Sequence, residues 1–253
     1  MEIKILGCYG GEAKGYRSPS FLINGEVVVD AGAITSTLTI EEQRNLKYIL
    51  ITHAHLDHIK DIPFVADNII GNHKKPLNIV AEKRVLKEIE SHIMNDYIWP
   101  DFRILPSKKN PVIKFISIKV NTVYKINSLK VKAIRTNHVV DSVGYFISDG
   151  KSAVGFSGDT FVTDKFWEEA NKNKSLKAIF IETSFPNFLE DIARASLHLT
   201  PVLLGKELKK LKRKVDIYVY HLKPNFIDTL KEEIKGLKIP NLRIAEQDSV
   251  ITL

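Results

Sequence analysis

The chain has 253 residues, 44% of them hydrophobic and 26% charged, proportions of a globular protein large enough to bury a core without disulfide staples. No apolar run approaches the roughly 18–20 residues that span a bilayer, and the opening MEIKILGCYGG lacks the basic segment and long apolar stretch of a secretory signal. With 37 Lys and Arg against 30 Asp and Glu, the formal charge of +7 favours anionic partners, and a lone cysteine, Cys8, suits a cytoplasmic protein in which it serves as a small buried hydrophobe.

In chain order, Ile- and Val-rich runs alternate with amphipathic stretches, which predicts one α/β domain over residues 1–253. A strand at 2–6 leads into a glycine-punctuated turn, then a hairpin from SFLI to EVVVD across Asn24-Gly25. Thr39 and Glu42 have capping-box spacing and start a helix. YILIT is a buried strand, followed at once by HAHLDH; LNIVA is a strand and EKRVLKEIESHIM a helix. Residues 110–156 read as successive strands broken by Asn, Ser, Asp and Gly. Alternation then resumes: a helix near 163–171, the strand KAIFIE, a helix near 187–196, and a helix capped by Thr200 with Pro201 at its first position. The strand DIYVYHL, a helix from about Asn225, and two short strands, LRIA and SVITL, finish the chain. Strands grouped in both halves predict two sheets packed face to face with helices outside, a four-layer αββα sandwich whose working residues gather at strand ends.

Within residues 51–64, ITHAHLDHIKDIPF, three histidines and two aspartates crowd together. In extended chain, residues two apart point the same way, so His53 and His55 can reach one metal. Asp57 and His58 follow where the chain turns into a helix and can reach a second, at the spacing of about 3.5–4 Å usual for two-metal hydrolases. His138, Asp159 and His221 each follow an apolar strand, and a carboxylate such as Asp159 can bridge two ions.

The His-x-His-x-Asp-His run at 53–58, with His138, Asp159 in SGDT and His221, resembles the metallo-β-lactamase superfamily over essentially the whole chain. The resemblance implies one metal on His53, His55 and His138, a second on Asp57, His58 and His221, Asp159 between them, and a hydroxide held there as nucleophile. Nitrogen and oxygen ligands without thiolate suit two zinc ions, with iron or manganese as alternatives.

Further stretches narrow the resemblance. THAHLDHIKDIPFVADN, IETSFPN, HLTP and HLKP are similar to the signatures of class II cyclic-nucleotide phosphodiesterases, except that Asp61 stands where that family carries a small residue. The resemblance implies hydrolysis of 3′,5′-cyclic nucleotides such as cAMP and cGMP to 5′-monophosphates. Phosphodiester cleavage expels a poor alkoxide, which a proton donor assists by about 10²–10⁴-fold; His198, kept protonated by Glu182, fills that role. Asp57, Glu182 and His198 are therefore the expected catalytic residues, Asp57 also being a ligand.

The same Glu and His pair resembles RNase Z, which makes RNA the alternative substrate. RNase Z typically carries a tRNA-gripping arm between its third histidine and bridging aspartate, whereas here that interval is 159 − 138 = 21 residues. The basic run KKLKRK at 209–214 is read as a solvated helix end that could also attract RNA. A metal and nucleotide sensor without turnover is a third reading. Arg17 in the early glycine loop, Asn137 and Thr160 are expected near the substrate, the last two also orienting their neighbouring ligands. Trp99 to Phe102 are equally a base-stacking or a peripheral packing element, and His73 and His92 are expected at the surface. The expected partner is a small anionic nucleotide, with no membrane and with a homodimer left open.

Overall fold

A computed structural model describes residues 1–253. Its strands are β1 (Glu2–Gly7), β2 (Ser20–Ile23), β3 (Val27–Val29), β4 (Tyr48–Leu50), β5 (Leu77–Glu82), β6 (Pro106–Ser107), β7 (Asn110–Pro111), β8 (Ile113–Ile118), β9 (Val123–Ile126), β10 (Leu129–Arg135), β11 (Val143–Ser148), β12 (Ala153–Phe156), β13 (Leu176–Glu182), β14 (Asp216–Tyr220), β15 (Leu242–Ile244) and β16 (Val250–Thr252). The helices are α1 (Ile40–Asn45), α2 (Leu56–Ile59), α3 (Ile62–Ile69), α4 (Lys83–His92), α5 (Lys165–Lys172), α6 (Glu190–Ala195), α7 (Pro201–Leu208) and α8 (Ile227–Gly236).

One seven-stranded sheet runs β16-β1-β2-β3-β4-β5-β8 and the other β15-β14-β13-β12-β11-β10-β9; β6 and β7 form a separate small ribbon. Period-2 alternation sorts each strand's side chains into two apolar layers. In β3, Val27 and Val29 face the opposite sheet while Val28 faces the helices; in β13, Ala178 and Phe180 face inward while Ile179 and Ile181 face outward. The inter-sheet layer carries Phe21, Phe156, Phe180 and Tyr220. Outside the first sheet lie α3 and α4 through Ile62, Val65, Val85 and Ile89; outside the second lie α5, α7 and α8 through Phe166, Trp167, Leu204 and Leu230. The architecture is the αββα sandwich that the sequence predicts.

Local signals act as expected. Asn24 and Gly25 both take positive φ, 49° and 70°, as a tight hairpin turn requires. Thr39 and Glu42 form the capping box of α1, and the Thr200 side chain caps α7 with Pro201 at its start. Cys8 is buried, its thiol donating to the Ala245 carbonyl, and burial pushes its pKa up to about 12. Unanticipated is α3, IPFVADNI, whose apolar face was hidden behind the histidine run. It follows Asp61, which is itself buried and accepts from the Thr35 backbone N–H at 2.8 Å and from Lys60 at 3.0 Å. The carboxylate thus has a bracing role where a small residue would leave a gap.

Topology fixes where function can gather. Strands β3, β4 and β5 are parallel, as are β12, β13 and β14, and β10 runs with β12 through two antiparallel pairings. Their C-terminal ends therefore share one edge of the sandwich, the usual place for ligands in α/β sheets. No helix is long and apolar enough to cross a membrane.

Candidate metal centre

At that edge the chain turns after β3 at Asp30, after β4 through His53 and His55 into α2, after β10 at His138, after β12 at Asp159, and after β14 at His221. These turns bring together His53, His55, His138 and Asp159 as one group and Asp57, His58 and His221 as another, with ligand atoms in each group within 4.8 Å of one another. Asp159 sits between them: Oδ2 lies 3.5 Å from His53 Nε2 and 3.3 Å from His221 Nε2, and Oδ1 lies 3.4 Å from His58 Nε2.

Pairs of ring nitrogens approach one another at the heart of the cluster. His138 Nε2 is 3.2 Å from His55 Nδ1, and His58 Nε2 is 3.4 Å from His221 Nε2. A tetrahedral ion with bonds of about 2.0–2.1 Å sets its ligand atoms roughly 3.3–3.4 Å apart, so the spacing fits cation binding. Two buried atoms, His53 Nε2 and Asp159 Oδ1, have no hydrogen-bond partner, and coordination would satisfy both. The residues fit divalent metal.

The far nitrogens are held by a surrounding layer. His53 Nδ1 meets Thr52 Oγ1 at 3.0 Å, His58 Nδ1 meets Asp30 Oδ2 at 2.8 Å, His138 Nδ1 meets the Leu197 carbonyl at 3.2 Å, and His221 Nδ1 meets Ser184 Oγ at 2.8 Å. Such contacts fix ring orientation and place the metal-facing lone pair on Nε2. Asp30 also accepts from the Thr52 backbone N–H at 2.8 Å and from its hydroxyl at 3.0 Å, so one buried carboxylate anchors His58 directly and His53 through Thr52.

Part of this geometry requires unusual backbone. Asp30, Leu197 and His221 have φ of 58°, 54° and 70°, left-handed conformations that cost non-glycine residues about 1–3 kcal/mol each and cluster at working sites. His221 is clamped from the turn after β1: its N–H donates to the Cys8 carbonyl at 2.7 Å, and Gly10 N donates to the Leu222 carbonyl at 3.1 Å. A Cβ on Gly10 would stand 2.3 Å from the His221 carbonyl oxygen and 2.6 Å from its Nδ1, so only glycine permits this approach.

Electrostatics divide the imidazoles. Burial depresses His53 well below the ordinary histidine value, lowers His55, and pulls His138 down to about 4, which keeps them neutral as ligands must be. For His58, burial acts downward, but Asp159, Asp30 and Asp57 outweigh it and hold its pKa well above the ordinary value. Burial likewise opposes ionisation of Asp57 and Asp159, and the surrounding histidines overcome it and keep both carboxylates charged.

Next to the cluster is a second buried pair. Glu182, the last residue of β13, places Oε1 2.8 Å from His198 Nδ1 and accepts from the Thr160 backbone N–H at 3.1 Å. Burial lowers the His198 pKa, and Glu182 more than compensates, leaving it raised. The His198 ring lies 5.0 Å from that of His138 and stacks on that of His221 at 5.4 Å. Lys223 adds a cation here: its ammonium lies 5.8 Å from the Phe185 ring centre, and that ring meets His198 at 5.8 Å. Half-buried Lys60, Lys132 and Lys210 have carboxylate partners, whereas Lys223, like Lys4 on β1, has none.

Residues 27–221, well over half of the chain, match the sequence model of the beta-lactamase superfamily domain. The chain belongs to the metallo-β-lactamase superfamily. Among relatives in this superfamily, it is 25% identical over 160 residues to a ribonuclease Z of Metallosphaera sedula, covering 60% of this chain and 50% of that protein. It is 26% identical over 205 residues to 3′,5′-cyclic-nucleotide phosphodiesterase 1 of Saccharomyces cerevisiae, covering 71% and 54%. The chain thus spans about half the length of these relatives. Unliganded yeast PDE1 superimposes with a TM-score of 0.83 at 22% identity, over 100% of this chain and 99% of that one. The metallo-β-lactamase fold protein YhfI of Bacillus subtilis gives 0.78 at 20%, over 99% of each. Ribonuclease Z and 3′,5′-cyclic-nucleotide phosphodiesterase both occur among the relatives found.

The three residues expected near the substrate are committed to protein groups instead. Arg17 donates through Nε to the Leu6 carbonyl at 2.7 Å and pairs with Asp248 at 2.6 Å, which ties the early loop to the C-terminal segment. Asn137 Nδ2 donates to the Val162 carbonyl at 3.1 Å, and Thr160 Oγ1 donates to the Phe161 carbonyl at 2.9 Å while accepting from the Asn137 N–H at 3.1 Å. The latter two brace the turns that carry His138 and Asp159. Phe102 is in the core and Trp99 packs on Phe64, so that stretch is packing. His92 is exposed beside Glu88, whereas His73 is half-buried. Within the basic run, Lys210 is paired with Asp164 and Glu207, and Arg213 donates to the Lys174 carbonyl; the run follows α7 as a turn. Sequence reasoning missed Asp30, Thr52, Ser184 and Lys223. Asp30 alone carried a signal, since VVVD repeats the pattern of an apolar strand followed by one polar residue.

Proposed function

We propose that the protein is a phosphodiesterase holding two divalent ions, zinc by ligand type, and that it hydrolyses 3′,5′-cyclic nucleotides to 5′-monophosphates. His53, His55 and His138 would hold one ion, Asp57, His58 and His221 the other, with Asp159 shared. Bound ions supply Lewis-acid polarisation of the phosphoryl group and acidify water at neutral pH. The observation that carries the reading is the Glu182–His198 pair at 2.8 Å, buried against both ligand groups. His198 donates a proton through Nε2 to the departing oxygen, and Glu182 holds Nδ1 and favours the charged ring. Lys223, without a carboxylate, favours an anionic substrate on that side.

The RNase Z reading draws on the ribonuclease Z relatives and on the same acid pair. Against it, β11 and β12 pair directly in the interval between His138 and Asp159, leaving no long arm there to grip tRNA, and two of the five cations of the basic run, Lys210 and Arg213, are engaged with protein groups.

One panel tests the proposal: metal-loaded protein with cAMP, cGMP, 2′,3′-cyclic nucleotides, a tRNA precursor and a thioester. Release of 5′-AMP or 5′-GMP is expected; cleavage of the precursor alone, at a rate that collapses with salt, would transfer the assignment to RNA. His198→Ala should retain both ions and lose about 10²–10⁴-fold in kcat. His198, Asp159 and His221 also form a close trio, and an imidazole backed by a carboxylate is a common ligand arrangement. Loss of one ion in His198→Ala would therefore make His198 a ligand and remove the acid.

A further inference from the structure

We propose that Ser184 is a positioning residue that joins the metal centre to the proton donor, as the middle of a relay from His221 through Ser184 and Glu182 to His198. This rests on the preceding reading of His221 as a ligand and His198 as an acid.

Ser184 is completely buried two residues after Glu182. Its hydroxyl lies 2.8 Å from His221 Nδ1, 3.1 Å from Glu182 Oε2 and 3.1 Å from His198 Nδ1. One hydroxyl proton serves three neighbours, and chemistry decides where it goes. His221 faces the cluster with Nε2, 3.3 Å from Asp159 and 3.4 Å from Asp57. A ligating nitrogen carries no proton, so the neutral ring bears its proton on Nδ1 and donates it to Ser184 Oγ. His198 Nδ1 donates to Glu182 Oε1 at 2.8 Å and therefore offers Ser184 no lone pair. The serine proton is left with one acceptor, Glu182 Oε2.

The direction of every bond is then determined. His221 donates to Ser184, Ser184 donates to Glu182, and His198 donates to the same carboxylate from the other side. Thr160 N–H adds a donor to Oε1 at 3.1 Å, so three protein groups fix the carboxylate plane and, through it, the His198 ring. Removing the hydroxyl takes the acceptor from His221 Nδ1 and a donor from Glu182 in the same step. Both lie where no water replaces them, with His221 and Glu182 buried.

The experiment combines two readouts on the full chain. Chelator-treated protein is titrated with Zn²⁺ against a competing chromophore, and the loaded protein is assayed on two diesters. Bis(p-nitrophenyl) phosphate expels a good leaving group that needs little acid assistance; cAMP expels an alkoxide that needs it. Ser184→Ala should weaken the more labile ion by about 10–100-fold and lower kcat on cAMP about 10-fold more than on the nitrophenyl diester. Ser184→Thr, which keeps the hydroxyl, should restore both. Wild-type ion affinity in Ser184→Ala, an unaltered ratio of the two kcat values, or a change in only one readout would overturn the relay, because it requires both ends to respond. Protein that binds zinc but cleaves neither diester would defeat the phosphodiesterase reading; the titration then decides the His221–Ser184 link alone, lost affinity supporting it and wild-type affinity overturning it.

Discussion

Asp30 and Glu182 are both buried, and both hold an imidazole Nδ1 at 2.8 Å, Asp30 that of His58 and Glu182 that of His198. The two pairs differ in what the ring meets on its other side and in what else the carboxylate touches. His58 is completely covered and its Nε2 meets Asp159, Asp57 and His221. His198 is slightly less covered, at 7% exposure, and its ring meets Phe185 at 5.8 Å. Asp30 completes its shell with Thr52, directly before a ligand, whereas Glu182 reaches Thr160 and Ser184, each linked to a different ligand turn. A carboxylate–imidazole pair is thus a neutral device, and its surroundings decide whether it steadies a metal ligand or poises a proton.

That comparison breaks most sharply with paired substitutions. Glu182→Gln should leave zinc content intact and lower kcat by about 10²–10⁴-fold on an alkoxide leaving group, read by metal analysis beside steady-state kinetics. Asp30→Ala should do the reverse in kind, weakening zinc by about 10–100-fold and leaving a buried, charged His58 without its partner in the metal-free protein. Breaking such a pair costs about 3–5 kcal/mol, measurable by urea unfolding in chelator. If Asp30→Ala kept full zinc affinity, or Glu182→Gln lost an ion, the two pairs would have to exchange roles.

A smaller effect sharpens the contrast further. In metal-free protein the carboxylates around His58 outweigh burial and hold its proton above the ordinary histidine range, and an ion must displace that proton. Zinc affinity should therefore keep rising with pH above about 7, up to tenfold per unit for one displaced proton, and fall as pH drops through the raised value. Asp30→Asn should move this dependence to lower pH. Affinity that is flat with pH in wild-type protein above neutrality would show that His58 carries no extra proton to lose.

Much of the cluster was legible because candidate ligands follow a simple grammar in sequence. HAHLDH concentrates four of them in one turn, and His138, Asp159 and His221 each close an apolar strand, which parallel topology then delivers to one edge. The Glu182–His198 pair was legible through chemistry, since phosphodiester cleavage needs a donor. Ser184 was not, because a serine after a strand is indistinguishable from a turn residue until its three neighbours converge on it from β13, β14 and the turn before α7. Lys223 was hidden similarly: its isolation from carboxylates is a fact of packing. Asn137 and Thr160 were legible as residues that orient the turns of His138 and Asp159, whereas the bonds of Arg17 to the Leu6 carbonyl and Asp248 depend on chain packing that the sequence does not show.

The candidate ligands come from both sheets, His53, His55, Asp57 and His58 from the first and His138, Asp159 and His221 from the second. An ion bound among them would therefore be a rivet between the two halves, added to the apolar layer and to polar links such as Tyr145 to the Ile51 carbonyl and His221 N–H to the Cys8 carbonyl. Binding to the folded state alone adds about 4 kcal/mol when free metal exceeds its dissociation constant a thousandfold. Metal held there would thus stabilise the seam between the sheets as well as any chemistry, and chelation should lower the unfolding midpoint.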